Sequence, residues 1–183
     1  MQVFLATDRL VLRRFTDADV DNLFDLDSDP DVMRFLTGGK PTPRDVIRNE
    51  TLPRLVQDYA RLPGCGRWAA IEKSTGEFLG WFALRPPDGS MGEEVELGYR
   101  LRACAWGNGY ATEGSRALIH KGFTELGVQR VYAETMAVNI ASRRVLEKAG
   151  LRLVRTFHLT WDDPIDGAEY GEVEYELRKA DWE

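Results

Sequence analysis

The N-terminal stretch MQVFLATDRLVLRRF alternates apolar and polar residues, as a half-buried strand does. The same alternation recurs six more times, and Ser74, Thr75 and Gly76 predict a hairpin turn between two of these segments. Consecutive strand residues point to opposite faces, so each segment presents one apolar face to a core. The predicted strands are residues 9–15, 66–73, 77–85, 94–101, 130–137, 151–159 and 172–182.

Helical periodicity separates these strands. Thr16 and Asp19 have the spacing of a capping box at the start of one helix. Asn139 and Gly150 are typical first and last signals of another helix. Pro53 is expected to kink or divide the longest N-terminal helix, because proline lacks the amide that an interior turn needs. The predicted helices are residues 17–26, residues 30–36, a longer helix that starts at Pro43, residues 111–126 and residues 139–150.

Strands and helices alternate in the second half of the chain, after an antiparallel meander in the first half. This order predicts an α/β (α+β mixed) fold, with a mixed central sheet of about seven strands and helices on both faces. No repeat, low-complexity tract or linker divides the sequence, so we expect one domain over residues 1–183. A chain of this length can bury a core without disulfide or metal staples.

Composition narrows the possible functions. The net charge of −6 and the lack of a basic stripe argue against nucleic-acid binding. No apolar run is long enough to span a membrane, and the N-terminus lacks a signal peptide's apolar block, so a cytoplasmic protein is expected. Cys65 and Cys104 form no CxxC motif and have no nearby histidine pair. We therefore expect reduced thiols and no metal, although a disulfide is possible on sequence alone.

Residues 106–114 read WGNGYATEG, a glycine cluster between a predicted strand and a predicted helix. Gly107, Gly109 and Ala111 remove side-chain bulk where helical N–H groups have no partner and the helix dipole is positive. The cluster could therefore hold phosphate oxygens, or it could be a tight turn with nothing bound. The P-loop pattern GxxxxGK[ST] is absent, and the glycine spacing does not fit the dinucleotide fingerprint GxGxxG.

The segment 94–116 resembles the central motif of the GNAT acetyltransferases, [Q/R]xxGx[G/A], through Trp106, Gly109 and Ala111. Tryptophan replaces the polar first residue, as in the ribosomal-protein alanine N-acetyltransferase-like branch of that family, which reads WGxGYATEA. The segments NIASRRVLEKAGL, DRLVLRRF and VEYELRKADW extend the resemblance over essentially the whole chain. The resemblance implies the GNAT fold, in which two parallel strands of the central sheet splay apart.

That resemblance also implies acetyl-CoA as the donor. Pantetheine would enter between strands 94–101 and 130–137, where the backbone groups of Leu101 would pair with it. Asn139 would bond pantetheine through its side chain, cap its own helix, or do both. The diphosphate would be held by the N–H groups of Gly107, Asn108, Gly109, Tyr110, Ala111 and Thr112.

Two residues carry the chemistry that the resemblance implies. Glu96 lies at about the strand position of a catalytic glutamate, where it would deprotonate the acceptor amine directly or through water. Alternatively, Glu96 is an exposed strand residue that merely attracts a cationic acceptor. Many family members place a tyrosine acid at the position of Leu146, whereas the resembled branch uses a serine at the position of Ser142. Ser142 is therefore expected to donate to the leaving thiolate, unless it only bonds the local backbone.

The expected function is an acetyl-CoA-dependent N-acetyltransferase that acts on a primary amine by direct attack in a ternary complex. The acceptor would be a protein N-terminus or a small-molecule amine, and the protein would be a monomer or a homodimer. The alternative is a non-catalytic module that binds CoA without turnover, because resemblance of fold does not by itself fix function.

Overall fold

The computed structural model describes residues 2–87 and 92–182. In these two ranges, eight strands form one mixed sheet in the order β1-β2-β3-β4-β5-β6-β8-β7. The strands are β1 (Val3–Ala6), β2 (Leu10–Arg13), β3 (Gly66–Glu72), β4 (Phe78–Arg85), β5 (Glu94–Leu101), β6 (Arg130–Met136), β7 (Arg152–Phe157) and β8 (Glu172–Arg178). Neighbouring strands are antiparallel except β5 and β6, which run parallel. The predicted mixed sheet is confirmed.

Within the described residues, six α-helical segments connect or cover these strands. They are α1 (Val20–Ser28), α2 (Pro30–Thr37), α3 (Arg44–Val46), α4 (Leu52–Arg61), α5 (Tyr110–Glu125) and α6 (Ile140–Lys148). A π-helical turn, Ile47–Thr51, lies between α3 and α4. The predicted division of this helix near Pro53 is therefore confirmed, and the missing amide of proline accounts for it.

The sheet contains one strand more than the sequence pattern indicated, because the N-terminal alternating stretch folds back on itself. Its turn lacks glycine and proline and is closed by Thr7 instead. The Thr7 N–H donates to the Leu10 carbonyl at 2.9 Å, and the Thr7 hydroxyl accepts from the Leu10 N–H at 2.9 Å. A side-chain hydroxyl thus replaces the usual turn residues, which is why the hairpin of β1 and β2 was missed.

Apolar residues cover both faces of the sheet. On one face, Phe82 of β4 packs in a core with residues of α5 and α6, including Phe123 and Leu146. On the other face, Trp81 of β4 packs in a core that contains Leu26 of α1 and residues of α4. Adjacent residues of β4 thus belong to different cores, so the predicted arrangement of helices on both faces is confirmed.

The parallel pair is short, and this shapes the middle of the sheet. The ladder covers three residue pairs, from Glu94 to Glu96 on β5, and it ends at Tyr132 on β6. Beyond that point β5 remains paired with β4 as far as Leu101, and β6 remains paired with β8 as far as Met136. The two strands therefore diverge and leave a slot between their C-terminal halves, which confirms the predicted splay.

Both cysteines are free thiols, as expected from the sequence. Cys65 is buried and Cys104 is exposed. Burial raises the pKa of the Cys65 thiol, which makes that thiol unreactive at neutral pH. None of the helices in residues 2–87 and 92–182 is long and apolar enough to cross a membrane.

Two glycines of α5 offer a matched test of how closely this helix approaches β4. A Cβ added to Gly114 would lie 2.3 Å from Cζ of the fully buried Phe82 ring. We expect Gly114→Ala to lower the free energy of unfolding by about 1–3 kcal/mol, because the ring must move within a packed core. Urea denaturation measures this loss.

Gly122→Ala is the control in the same helix. A Cβ at Gly122 would meet Val128 and Leu84 at the ordinary contact distances of 3.7 and 3.8 Å. This substitution should raise the free energy of unfolding by up to about 1 kcal/mol, since alanine favours the helix interior. Equal stability changes for the two variants would contradict the close approach of Gly114 to β4.

Candidate functional site

The glycine cluster forms a loop between β5 and the first turn of α5. Gly107 and Gly109 have φ angles of +76° and +83°, which glycine adopts without strain. No N–H from Gly107 to Thr112 donates to an acceptor within the described ranges, and the first bond into α5 joins the Glu113 N–H to the Gly109 carbonyl. A Cβ at Gly107 would meet no atom within 4 Å. The loop therefore has a row of free donors at a helix start with open space at Gly107, an arrangement that suits a diphosphate.

Arg9, from the end of the β1–β2 turn, holds this loop in place. Its Nη1 donates to the Asn108 carbonyl at 2.9 Å, and its Nε donates to Glu113 at 2.7 Å. Its guanidinium also lies over the Tyr110 ring, 4.5 Å from the centroid. No local pattern in the sequence predicts this contact, because Arg9 lies about a hundred residues before the loop in the chain.

The edge of β5 that faces the slot includes Leu101. The Arg102 N–H donates to the Leu79 carbonyl of β4 at 2.8 Å. Backbone groups of consecutive strand residues point in opposite directions, so those of Leu101 point towards the slot. The indole N–H of Trp106 donates to the Leu101 carbonyl at 2.9 Å. Trp106, the residue that departs from the polar motif position, thus fixes the end of β5.

The N-terminus of α6 borders the same slot. The Asn139 side chain accepts from the Ser142 N–H at 3.2 Å, so its predicted capping role is confirmed. The Ser142 hydroxyl lies 2.9 Å from the Tyr99 hydroxyl, which is also 3.2 Å from the Ser142 carbonyl. Burial raises the pKa of Tyr99 to about 12, and the phenol therefore keeps its proton at neutral pH. Ser142 thus does more than bond its local backbone.

Sequence reasoning missed Tyr99. Its position in β5 gave one usable signal, since strand alternation places Tyr99 on the face opposite Glu96 and towards α6. Nothing in the local pattern, however, indicates that a β5 side chain reaches the first turn of α6. That contact depends on the distance between two elements that are far apart in the chain.

Glu96 lies on the other face of the sheet. Its Oε2 is 2.7 Å from Nη2 of Arg85, the residue opposite it on β4. The Glu96 side chain retains 29% of its exposure, so it can be reached from solvent. The predicted base and the predicted acid, Ser142, therefore lie on opposite faces of the sheet, and the slot separates them.

Two further carboxylates share the face of Glu96, and no sequence motif marks either of them. Glu134 lies on β6, two residues beyond the end of its ladder with β5, and Glu172 lies opposite Met136 on β8. Burial and the charge of Glu96 raise the pKa of Glu134. Burial and the charge of Glu134 raise the pKa of Glu172, which is 6% exposed.

Comparison with known proteins agrees with this geometry. A family model described as the acetyltransferase (GNAT) domain matches residues 9–152. A protein of Aspergillus fumigatus named FsC-acetyl coenzyme A-N(2)-transacetylase is 38% identical over 164 residues, which cover 86% of this chain and 68% of that relative. The uncharacterized protein YkkB of Bacillus subtilis is 36% identical over 162 residues, covering 88% of this chain and 91% of YkkB.

A solved structure of RimL, a ribosomal L7/L12 alpha-N-protein acetyltransferase in complex with coenzyme A, is also similar. It matches with a TM-score of 0.78 over 97% of this chain and 98% of that chain. The identity is 16%, so this likeness shows the fold alone. The predicted ribosomal-protein branch is not singled out, because the relative that is 38% identical is named for a different acceptor.

The free N–H row at the start of α5 and the slot between β5 and β6 suit an acetyl-CoA molecule that lies across the end of the sheet. The family model covers most of the chain, and the similar proteins are named as acetyltransferases. The chain is therefore an acyltransferase that uses acetyl-CoA for N-acetylation, and it belongs to the GNAT acetyltransferase family.

Proposed function

We propose that the acceptor is the primary amine of a small molecule, and that the amine meets the acetyl group in the slot between β5 and β6. The observation that carries this is the early end of the parallel ladder at Glu96 and Tyr132, which opens the sheet between two sets of polar groups. The relative that is 38% identical supports a small acceptor, since its name gives an N(2) nitrogen as the site of transacetylation.

The protein's own residues bind the acetyl donor and hold it in position. When bound, acetyl-CoA supplies an activated acetyl thioester. The free N–H groups of residues 107–112 hold its diphosphate, while Leu101 and Asn139 align the arm that leads into the slot. Fixing the thioester beside the amine removes much of the entropic barrier to their reaction.

Ser142 and Tyr99 are proposed to supply the proton that the departing sulfur needs. The Tyr99 phenol can donate to the Ser142 oxygen at 2.9 Å, which leaves the Ser142 proton free to point into the slot. Tyr99 is thus a positioning residue that acts through Ser142. It provides from β5 the phenol that many family members carry on α6, where this chain has Leu146.

Glu96 is proposed to draw the cationic acceptor towards the slot. Glu96 belongs to the last residue pair of the β5–β6 ladder, and its side chain retains 29% of its exposure. The Arg85 guanidinium at 2.7 Å competes with an ammonium group for that carboxylate. The role of Glu96 as the base therefore remains a prediction.

A panel of acceptors tests the proposed function. Small primary amines, polyamines, aminoglycosides and short peptides with free N-termini are incubated with acetyl-CoA, and mass spectrometry detects acetylated products. We expect acetylation of small amines at a higher kcat/KM than of the peptides. Acetylation of peptides alone would contradict the small acceptor, and CoA binding without any acetylated amine would indicate a non-catalytic module.

The diphosphate site is tested by Gly109→Val. A Cβ at Gly109 would lie 3.4 Å from Nη2 of Arg9, which braces the loop. The added side chain should therefore disturb the row of free N–H groups and weaken acetyl-CoA binding about tenfold or more, which is a loss of about 1.4 kcal/mol. Isothermal titration calorimetry measures the affinity. The control is Gly76→Val. Gly76 has a φ of +76°, close to the +83° of Gly109, and a Cβ at Gly76 would meet no atom within 4 Å. Both variants carry the same backbone strain, so equal affinities would show that the N–H row does not bind the donor.

Ser142→Ala should reduce kcat about a hundredfold with little change in acetyl-CoA affinity, as expected for removal of a general acid. Tyr99→Phe should reduce kcat less, about five- to tenfold, because it removes one supporting hydrogen bond. The double variant should match Ser142→Ala alone, since Tyr99 acts only through Ser142. Additive losses would indicate that Tyr99 acts independently, and full turnover of folded Ser142→Ala would exclude its role as the acid.

A further inference from the structure

Glu172 stands out among the buried charged residues. Its side chain is 6% exposed, and its Oε1 has no hydrogen-bond partner within residues 2–87 and 92–182. Glu174, two residues further along β8, is equally buried at 6% but is paired with Arg130 at 2.5 Å and Arg155 at 2.6 Å. An unpaired buried carboxylate is costly, because burial removes water and nothing replaces it. Glu172 therefore has no structural partner that explains its burial.

Glu172 lies next to Glu134 on the face that carries Glu96. Glu134 is opposite Glu174, so Glu134 and Glu172 are diagonal neighbours on β6 and β8, within about 8 Å. Glu134 follows Tyr132, where the ladder with β5 ends, and its carboxylate has no ion pair in the described parts of the chain. Two carboxylates without cations thus lie beside the slot.

We propose that Glu134 and Glu172 receive the ammonium group of the acceptor and that Glu172 takes up its proton. A cation between them would compensate both charges, whereas no side chain of the described residues forms an ion pair with either carboxylate. Glu96 is less suited to this step because Arg85 already holds it at 2.7 Å. The inference rests on the proposed function, and it names the groups that would select a cationic acceptor.

The positions of the charged groups around Glu134 and Glu172 are consistent with binding of an ammonium group there. On β7, Arg155 is directed to Glu174 at 2.6 Å, and it thus leaves Glu172 unpaired. His158 lies next to Gly171, at the start of β8. Burial raises the pKa values of Glu134 and Glu172. The charges of Glu96 and Glu174 add to the rise at Glu134, and the charge of Glu134 adds to the rise at Glu172. Both pKa values therefore lie closer to the neutral range, where a general base works best.

The proposed acetyl transfer conserves protons and bonding electrons. The ammonium gives one proton to the Glu172 carboxylate and becomes a neutral amine. The nitrogen lone pair forms the C–N bond to the acetyl carbon, and the C–S bond breaks with its electron pair on sulfur. The sulfur gains a proton from the Ser142 hydroxyl. After the C–N bond forms, the nitrogen carries one proton more than the amide product needs, and this proton restores the Ser142 hydroxyl. Glu172 then returns its proton to water.

Glu172→Gln separates a functional role from a structural one. The substitution removes an unpaired buried charge, so it should raise the melting temperature at pH 8 by about 2–4 °C. The same substitution should lower kcat/KM for amines about a hundredfold, without changing acetyl-CoA affinity. A group that only supports the fold would instead lose stability when it is replaced.

The pH dependence of the stability gain has a defined sign. Because the folded state raises the pKa of Glu172 above its unfolded value, ionisation destabilises the parent protein as the pH rises through this interval. Glutamine does not ionise. The advantage of Glu172→Gln should therefore be present above the folded pKa and vanish as the pH falls below the unfolded pKa.

Glu174→Gln is the matched control for stability. It lies on the same strand and face with the same burial, but it breaks ion pairs with Arg130 and Arg155. Its melting temperature should fall where that of Glu172→Gln rises. Glu77→Gln, at an exposed position just before β4, controls for the loss of one negative charge and should leave kcat/KM unchanged.

A binding measurement distinguishes failure of this inference from failure of the proposed function. Butylammonium should raise the melting temperature of the parent protein saturated with CoA, and butanol should not. The shift should disappear in Glu172→Gln and weaken in Glu134→Gln. The inference would be overturned if Glu172→Gln had the same kcat/KM as the parent, or if butylammonium raised the melting temperatures of both proteins equally. If the parent binds butylammonium but acetylates no amine, the proposed function fails and the cation site remains.

Discussion

The active architecture depends on where the parallel pairing of β5 and β6 stops. Three residue pairs hold the two strands together, and beyond them each strand is held only by its outer neighbour. Peptide groups along the slot are left without a ladder partner, although buried peptide groups are almost always paired. The arm of a bound donor can satisfy those groups as an added strand would. The slot stays open because β4 and β8 fix the outer edges of both strands.

The slot also separates two kinds of proton chemistry. On the α6 side, a protonated phenol and a serine hydroxyl are linked at 2.9 Å, and both can donate. On the other side lie Glu96, Glu134 and Glu172, which can only accept protons or hydrogen bonds once they are ionised. An amine needs to lose protons and a thiolate needs to gain one. The sheet therefore keeps groups that accept protons apart from groups that donate them, as the proposed mechanism requires.

The residues that sequence patterns identified are those whose role follows from local chain geometry. The glycine cluster precedes a helix, so its N–H groups had to be free near that helix start, and the structure shows them free. Asn139 precedes α6 and caps it. Not every glycine of the motif serves a ligand, however. Gly114 is small because α5 lies against the Phe82 ring, a reason that no spacing in the sequence indicates.

The sequence by itself determined the order of most strands and helices, the mixed sheet and the position of the glycine loop. These features depend on periodicity and on turn and cap residues, which act over a few neighbouring positions. Only the tertiary structure decided that Arg9 braces the loop, that Tyr99 meets Ser142, and that Glu172 is buried beside Glu134 while Arg155 is engaged by Glu174. Each of these contacts joins residues on separate elements, and its energy depends on burial and charge in three dimensions. Pairings of that kind leave no pattern in a single sequence, because the same residue types on the same strands would remain uncoupled if the strands lay one register apart.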